Sequence, residues 1–90
     1  MQVKFLSYLR DITESAEIDI PASANVGDLL HLLVDRYGQK FKDKILSPGG
    51  ELGPEIIILI NGRQVTNPGG METPLKDDDI VQILPMAAGG

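Results

Sequence analysis

The stretch from Asn25 to Gly38, NVGDLLHLLVDRYG, limits the possible folds more than any other part of the chain. Val26, Leu29, Leu30, Leu33 and Tyr37 recur three and four residues apart, which places them on one stripe of an α-helix and leaves the opposite face polar. Both ends carry signals. Asn25 is a favourable N-cap, Asp28 lies in the first turn where the helix dipole favours negative charge, and Gly38 suits the C′ position. A lone amphipathic helix must bury its stripe against something else, and the segments on either side of it read as strands.

From Gln2 to Leu9 apolar and polar residues alternate, with Val3 and Phe5 on one face and Lys4 and Leu6 on the other. A polar turn over Arg10–Ser15 then leads into AEIDIP, where Ile18 and Ile20 share a face and Pro21 ends the run, so the pair forms a hairpin. IIILI, Ile56–Ile60, is the unbroken branched run expected of a strand buried on both faces, and Asn61-Gly62 after it suits a type I′ turn into a short return strand at Gln64–Thr66. IVQILP supplies the last strand, with Val81 and Ile83 on one face and Ile80, Gln82 and Leu84 on the other. Between these elements, QKFKDKILSPGGELGPE reads as a mobile loop with room for a short turn of helix near Phe41 and Ile45. NPGGMETPLKDDD reads as irregular, anchored by Leu75.

The order is therefore strand, strand, helix, strand, short strand, strand. It predicts a two-layer α+β domain in which one main helix packs on one face of a mixed sheet, the order of a ubiquitin-like β-grasp, with the first and last strands as central neighbours. Ninety residues hold one such domain, here residues 1–85, followed by a flexible tail over residues 86–90. If Val3, Phe5, Val81 and Ile83 face the helix, Leu6 and Leu84 point to the opposite face near Lys4 and Gln82, either as scattered exposed leucines or, extended by Met86, as an apolar docking patch beside the tail.

Thirteen acidic and eight basic residues give a net charge of −5, which speaks against nucleic acid and favours a partner with a basic surface. Cysteine is absent, so disulfides, thiolate metal sites and a cysteine nucleophile are excluded. No apolar run is long enough to cross a bilayer and no signal peptide opens the chain, so a soluble, unprocessed, cytoplasmic protein is expected. Lys76–Asp79, KDDD, reads as a solvated turn and not as a cation site, because no second carboxylate cluster joins it. The pairs Gly49-Gly50 and Gly69-Gly70 lack the flanking strand, helix, Lys and Ser or Thr of a phosphate loop and read as turns; His31 lies off the apolar stripe and has no assigned role.

The chain closes on MAAGG, and glycine lacks the Cβ that would obstruct passage through a narrow channel. Together with VKFLSYLRD, NVGDLL, ILING and TPLKDDDIVQILP, this ending resembles the MoaD/ThiS family of ubiquitin-like sulfur carriers, most of all the small subunit of molybdopterin synthase. Asp78 stands where that family often has a turn glycine, and the SPGGELGPE loop is long for it. The resemblance implies that an E1-like enzyme adenylates the Gly90 carboxylate with ATP, which the partner binds. A sulfur source then converts it to a thiocarboxylate. The sulfur acceptor would be the large subunit of molybdopterin synthase or another sulfur-accepting enzyme. It further implies that Gly89 provides clearance, that Leu6, Leu84, Met86, Ala87 and Ala88 meet the partner, and that the chain itself holds no cofactor or metal and is a protein cosubstrate, not an enzyme. The rival readings are a protein modifier joined through Gly90 to substrate lysines, and a carrier serving a thiazole, an amino acid or a tRNA base.

Overall fold

The computed structural model describes residues 1–65 and 70–86. Its elements run β1 (Gln2–Phe5), α1 (Leu9–Thr13), β2 (Glu17–Asp19), α2 (Val26–Tyr37), α3 (Gln39–Ile45), β3 (Ile56–Ile60), β4 (Arg63–Gln64), a 3-10 turn (Gly70–Glu72) and β5 (Ile80–Pro85). Among the described residues the strands form one five-stranded sheet in the order β2-β1-β5-β3-β4. β1 and β5 are parallel, Val3 opposite Val81 and Phe5 opposite Ile83, while the other pairings are antiparallel. The mixed sheet, the central first and last strands and the single long helix are those expected from the sequence.

One face of the sheet is closed by α2. Val26, Leu29, Leu30 and Leu33 from the helix stripe meet Val3, Phe5, Ile58, Val81 and Ile83 from the sheet, all buried. The N-cap is as read: the Asn25 side chain accepts the Asp28 N–H at 2.8 Å. Gly38, at φ 85°, ends α2 and also opens α3, its N–H donating to the Val34 carbonyl and its carbonyl accepting from Lys42. Asn61 and Gly62 both have positive φ, 51° and 84°, as a type I′ turn requires.

Five expectations need correction. The first strand stops at Phe5 instead of reaching Leu9, because Ser7 takes a left-handed φ of 58° and turns the chain into α1. What reads as a polar turn over Arg10–Ser15 is mostly that helix, held by Leu9, which is wholly buried, and closed by left-handed Glu14. The supposed mobile loop begins with the seven-residue helix α3, whose Phe41 and Ile45 are fully buried. The Phe41 ring meets Phe5 edge-on with centroids 6.1 Å apart, a geometry that aromatic quadrupoles favour. In addition, β3 is buried on one face only: Ile56 and Ile58 are in the core, whereas Ile57 and Leu59 are half-buried on the other side. The return strand is confined to Arg63–Gln64, and Thr66 lies outside the described residues.

Candidate functional site

The outer face of the sheet is where apolar side chains exceed what the fold consumes. Strand register sets them in rows: Ile57 lies opposite Leu84, and Lys4 and Leu59 both lie opposite Gln82. Leu6 continues the outer side of β1, and its N–H donates to the Ile83 carbonyl at 3.1 Å, which brings it beside Leu84. Leu6, Leu84 and Met86 then line one groove together with Ser7, Tyr8, Glu55 and Pro85. Met86 and Tyr8 are large apolar side chains 53% and 39% exposed, so much of the surface they offer is unburied by this chain.

Local conformation builds the groove. The left-handed Ser7 ends β1 abruptly and sets Tyr8 at the groove wall, where extended backbone would carry it onward along the sheet. At the other side the Met86 N–H donates to the Glu55 carbonyl, which continues the β3–β5 pairing one step past Pro85 and fixes where the chain leaves the sheet. Sequence alternation placed Leu6 and Leu84 here, with Lys4 and Gln82 adjacent as expected. Tyr8, Ser7 and Glu55 were not foreseen. Their only sequence signals were a Tyr next to the strand end and a Glu before the branched run, neither of which specifies a neighbour. Ala87, Ala88, Gly89 and Gly90 lie outside the described residues.

The opposite end of β5 is organised by Asp79, which corrects the reading of Lys76–Asp79 as a wholly solvated turn. The Asp79 carboxylate is buried, accepting from the Asn61 side chain and from the Lys76 N–H, each at 2.8 Å. The Asn61 hydrogen bond chiefly, then that of Lys76, holds the carboxyl below its ordinary pKa against the opposing effect of burial. Asn61 in turn accepts the Ile80 N–H, and Asp77 accepts the Ala22 N–H, so these acids fasten turns to one another. Among the described residues no three His, Cys, Asp or Glu side chains are grouped to hold a metal ion. No helix among them is long and apolar enough to cross a membrane.

Residues 3–90 match the model of the ThiS family. A protein of Archaeoglobus fulgidus, provisionally named a sulfur carrier protein, is 39% identical over 85 residues, covering 82% of this chain and 97% of its own length. The solution structure of small archaeal modifier protein 1 from Methanosarcina acetivorans superposes with a TM-score of 0.84 at 36% identity, over 99% of this chain and 94% of that one. A chain of the BexX/CysO complex from Amycolatopsis orientalis superposes with a TM-score of 0.81 at 27% identity, over 99% of this chain and 98% of that one.

Proposed function

Because the chain belongs to the ThiS family of ubiquitin-like proteins, with the match running through Gly90, we propose that it carries sulfur as a thiocarboxylate on the Gly90 carbonyl. A carboxylate resists nucleophiles until one of its oxygens becomes a good leaving group. Attack of the Gly90 carboxylate on the α-phosphorus of ATP, bound by an E1-like partner, releases pyrophosphate and makes the acyl-adenylate. A sulfur nucleophile then displaces AMP. The Leu6–Leu84–Met86 groove docks the partner, Ala87 and Ala88 span the distance to its nucleotide, and Gly89, without a Cβ, gives the tail clearance through the last, narrow part of the path. The chain is thus a cosubstrate in the cytoplasm, with ATP bound by the partner and not by itself. The acceptor we favour is the large subunit of a molybdopterin synthase, on the strength of the TPLKDDDIVQILP and AAGG segments.

The observation that carries this reading is the coincidence of an unburied apolar groove with the point where the chain leaves the sheet toward the two glycines. Intact mass spectrometry of the protein from its native host tests it. Sulfur in place of one terminal oxygen is the expected product, and its absence under sulfur-replete growth overturns the proposal. Gly90→Ala should reduce single-turnover thiocarboxylate formation on the order of 100-fold, the cost of about 1 Å of misplacement at a reacting centre, without lowering the melting temperature. A second reading is favoured by the match to a small archaeal modifier protein over 99% of this chain: activated Gly90 is passed to a substrate lysine. The same mass measurement then returns heavier adducts ending at Gly90.

A further inference from the structure

Asn61 fastens the start of β5, yet the residue after it puts that fastening at chemical risk. Asparagine is among the thermolabile side chains, and it is lost through attack by the backbone nitrogen of the next residue. Of the three asparagines, Asn25 precedes the branched Val26 and Asn67 precedes Pro68, whose nitrogen carries no proton, while Asn61 precedes Gly62. Glycine lacks the Cβ that would shield this nitrogen. Both turn residues are exposed, a Cβ at Gly62 would meet nothing within 4 Å, and among the described residues the Gly62 N–H donates no backbone hydrogen bond. Nucleophile and solvent are therefore both at hand. The carboxamide is what the fold withholds. Its Nδ2 donates to Asp79 Oδ1 at 2.8 Å and its Oδ1 accepts the Ile80 N–H at 2.9 Å, so both ends of the group are clamped by residues eighteen and nineteen positions away. The orientation follows from the partners, because an ionised carboxylate only accepts and a backbone N–H only donates.

We propose that Asn61 is a deamidation site gated by Asp79, whose carboxylate pins the carboxamide so that the Gly62 nitrogen reaches it only when the start of β5 lets go. In that step the Gly62 nitrogen bonds to Asn61 Cγ, the bond from Cγ to Nδ2 breaks, and the proton lost by Gly62 leaves with the nitrogen as ammonia. Water then opens the cyclic imide at either carbonyl, giving aspartate or isoaspartate at position 61. Water is the sole co-reactant. The product also undoes the clamp that delayed it. Aspartate replaces the Nδ2 donor with a carboxylate oxygen facing Asp79, and like charges that close repel. Isoaspartate inserts a backbone carbon into a two-residue turn, whose φ values of 51° and 84° set the pairing of Ile60 with Arg63. This chemistry is the same whichever partner receives Gly90.

The experiment incubates the full-length chain at mildly alkaline pH, folded and in urea, and follows deamidation by mass spectrometry. Peptide mapping locates the site and tells aspartate from isoaspartate. The unfolded chain should react at Asn61 roughly 10-fold faster than the folded one or more, since local opening limits the folded rate. Asp79→Ala should raise the folded rate on the order of 10-fold, the scale of one lost charge-assisted hydrogen bond, and leave the unfolded rate unchanged. Leu30→Ala weakens the core without touching the clamp and should deamidate at the wild-type rate; melts establish that both variants are folded. Asn61→Asp should melt below the wild type, and an equal melt would overturn the loss of the clamp in the product. A folded Asp79→Ala protein that deamidates no faster than wild type overturns the gate. So does an equal acceleration in Leu30→Ala, because general unfolding would then suffice. Folded wild type that reacts as fast as the unfolded chain, or an unfolded chain that stays intact at Asn61, overturns the proposal outright.

Discussion

The two faces of β5 carry nearly the same chemistry and have opposite fates. Val81 and Ile83 point to α2 and are completely buried, while Leu84 on the other face is half-buried and ends in an open groove. Neighbouring strands repeat the division: Ile58 against Ile57 on β3, Phe5 against Leu6 on β1. Hydrophobic residues on the inner face are explained by the fold. Those on the outer face lack that explanation, since the described chain covers them only in part, and it is this surplus that points to a partner.

The harshest way to break the comparison is to truncate the inner face. Ile83→Ala and Leu30→Ala should each destabilise by roughly 2–5 kcal/mol, the range for a buried Ile or Leu reduced to a methyl. Urea midpoints measure it, and a near-zero change at both positions would mean that the helix stripe does not meet the sheet as described. The outer face should respond in the other currency. Leu84→Glu should cost about 1 kcal/mol or less in stability, as surface changes do, yet weaken binding to the activating enzyme by roughly 2 kcal/mol, about 30-fold. Calorimetric titration beside a melt of the free variant separates the two, and a variant that binds normally makes Leu84 an ordinary exposed leucine.

This division was legible in the sequence because strand alternation is a local property: once Val3 and Phe5 face the helix, Leu6 must face away. The stripe and cap of α2 were legible for the same reason. What escaped was whatever depended on distant partners. Phe41 and Ile45 make a single i,i+4 repeat beside a Ser-Pro-Gly-Gly run, too little to announce a helix, and α3 forms because Phe5 and Tyr37 supply rings for Phe41 to pack on. The burial of Asp79 escaped likewise, since three consecutive acids look alike until Asn61, eighteen positions away, selects one of them. The groove was half legible: its leucines follow from alternation, but its Tyr8 wall depends on a left-handed turn at a serine, which no residue preference signals.

The ends of β5 sharpen the contrast further, with a smaller effect. Asp79 fastens the strand's beginning through its carboxylate, whereas the Met86–Glu55 backbone bond fastens its end and has no titratable group. Since the folded pKa of Asp79 lies below its ordinary value of 3.8, its contribution is complete above that pH and is lost as pH falls through the folded value. Asp79→Asn should therefore lower the urea midpoint at neutral pH and reduce the further drop on acidification to about pH 3, near the bottom of the range in which carboxylates titrate. An acid-induced drop as large in the variant as in the wild type would show that Asp79 does not govern this limb.

The smallest effect separates fold from function within one short helix. α1 is bracketed by two left-handed residues that are not glycine, Ser7 before it and Glu14 after it, both at φ 58°. Each carries the steric cost of a Cβ in that region, roughly 1–2 kcal/mol, which glycine removes while adding freedom to the unfolded chain. The two terms nearly offset, so Glu14→Gly and Ser7→Gly should each stabilise by about 0.5 kcal/mol and at most about 1. Their functional consequences should differ. Glu14 is outside the groove, so its variant should bind the activating enzyme like the wild type. Ser7 lines the groove and sets the Tyr8 wall, so a glycine there loosens the placement of the ring and of Lys44 above it. The measurable signature is a Ser7→Gly protein that melts slightly higher and binds a few-fold more weakly, because the ring must now be ordered on binding, at about 0.5–1.5 kcal/mol per immobilised side chain. Equal binding by the two glycine variants would place Ser7 with Glu14 as a residue of the fold alone, and the groove would then owe its shape to the leucines without the turn.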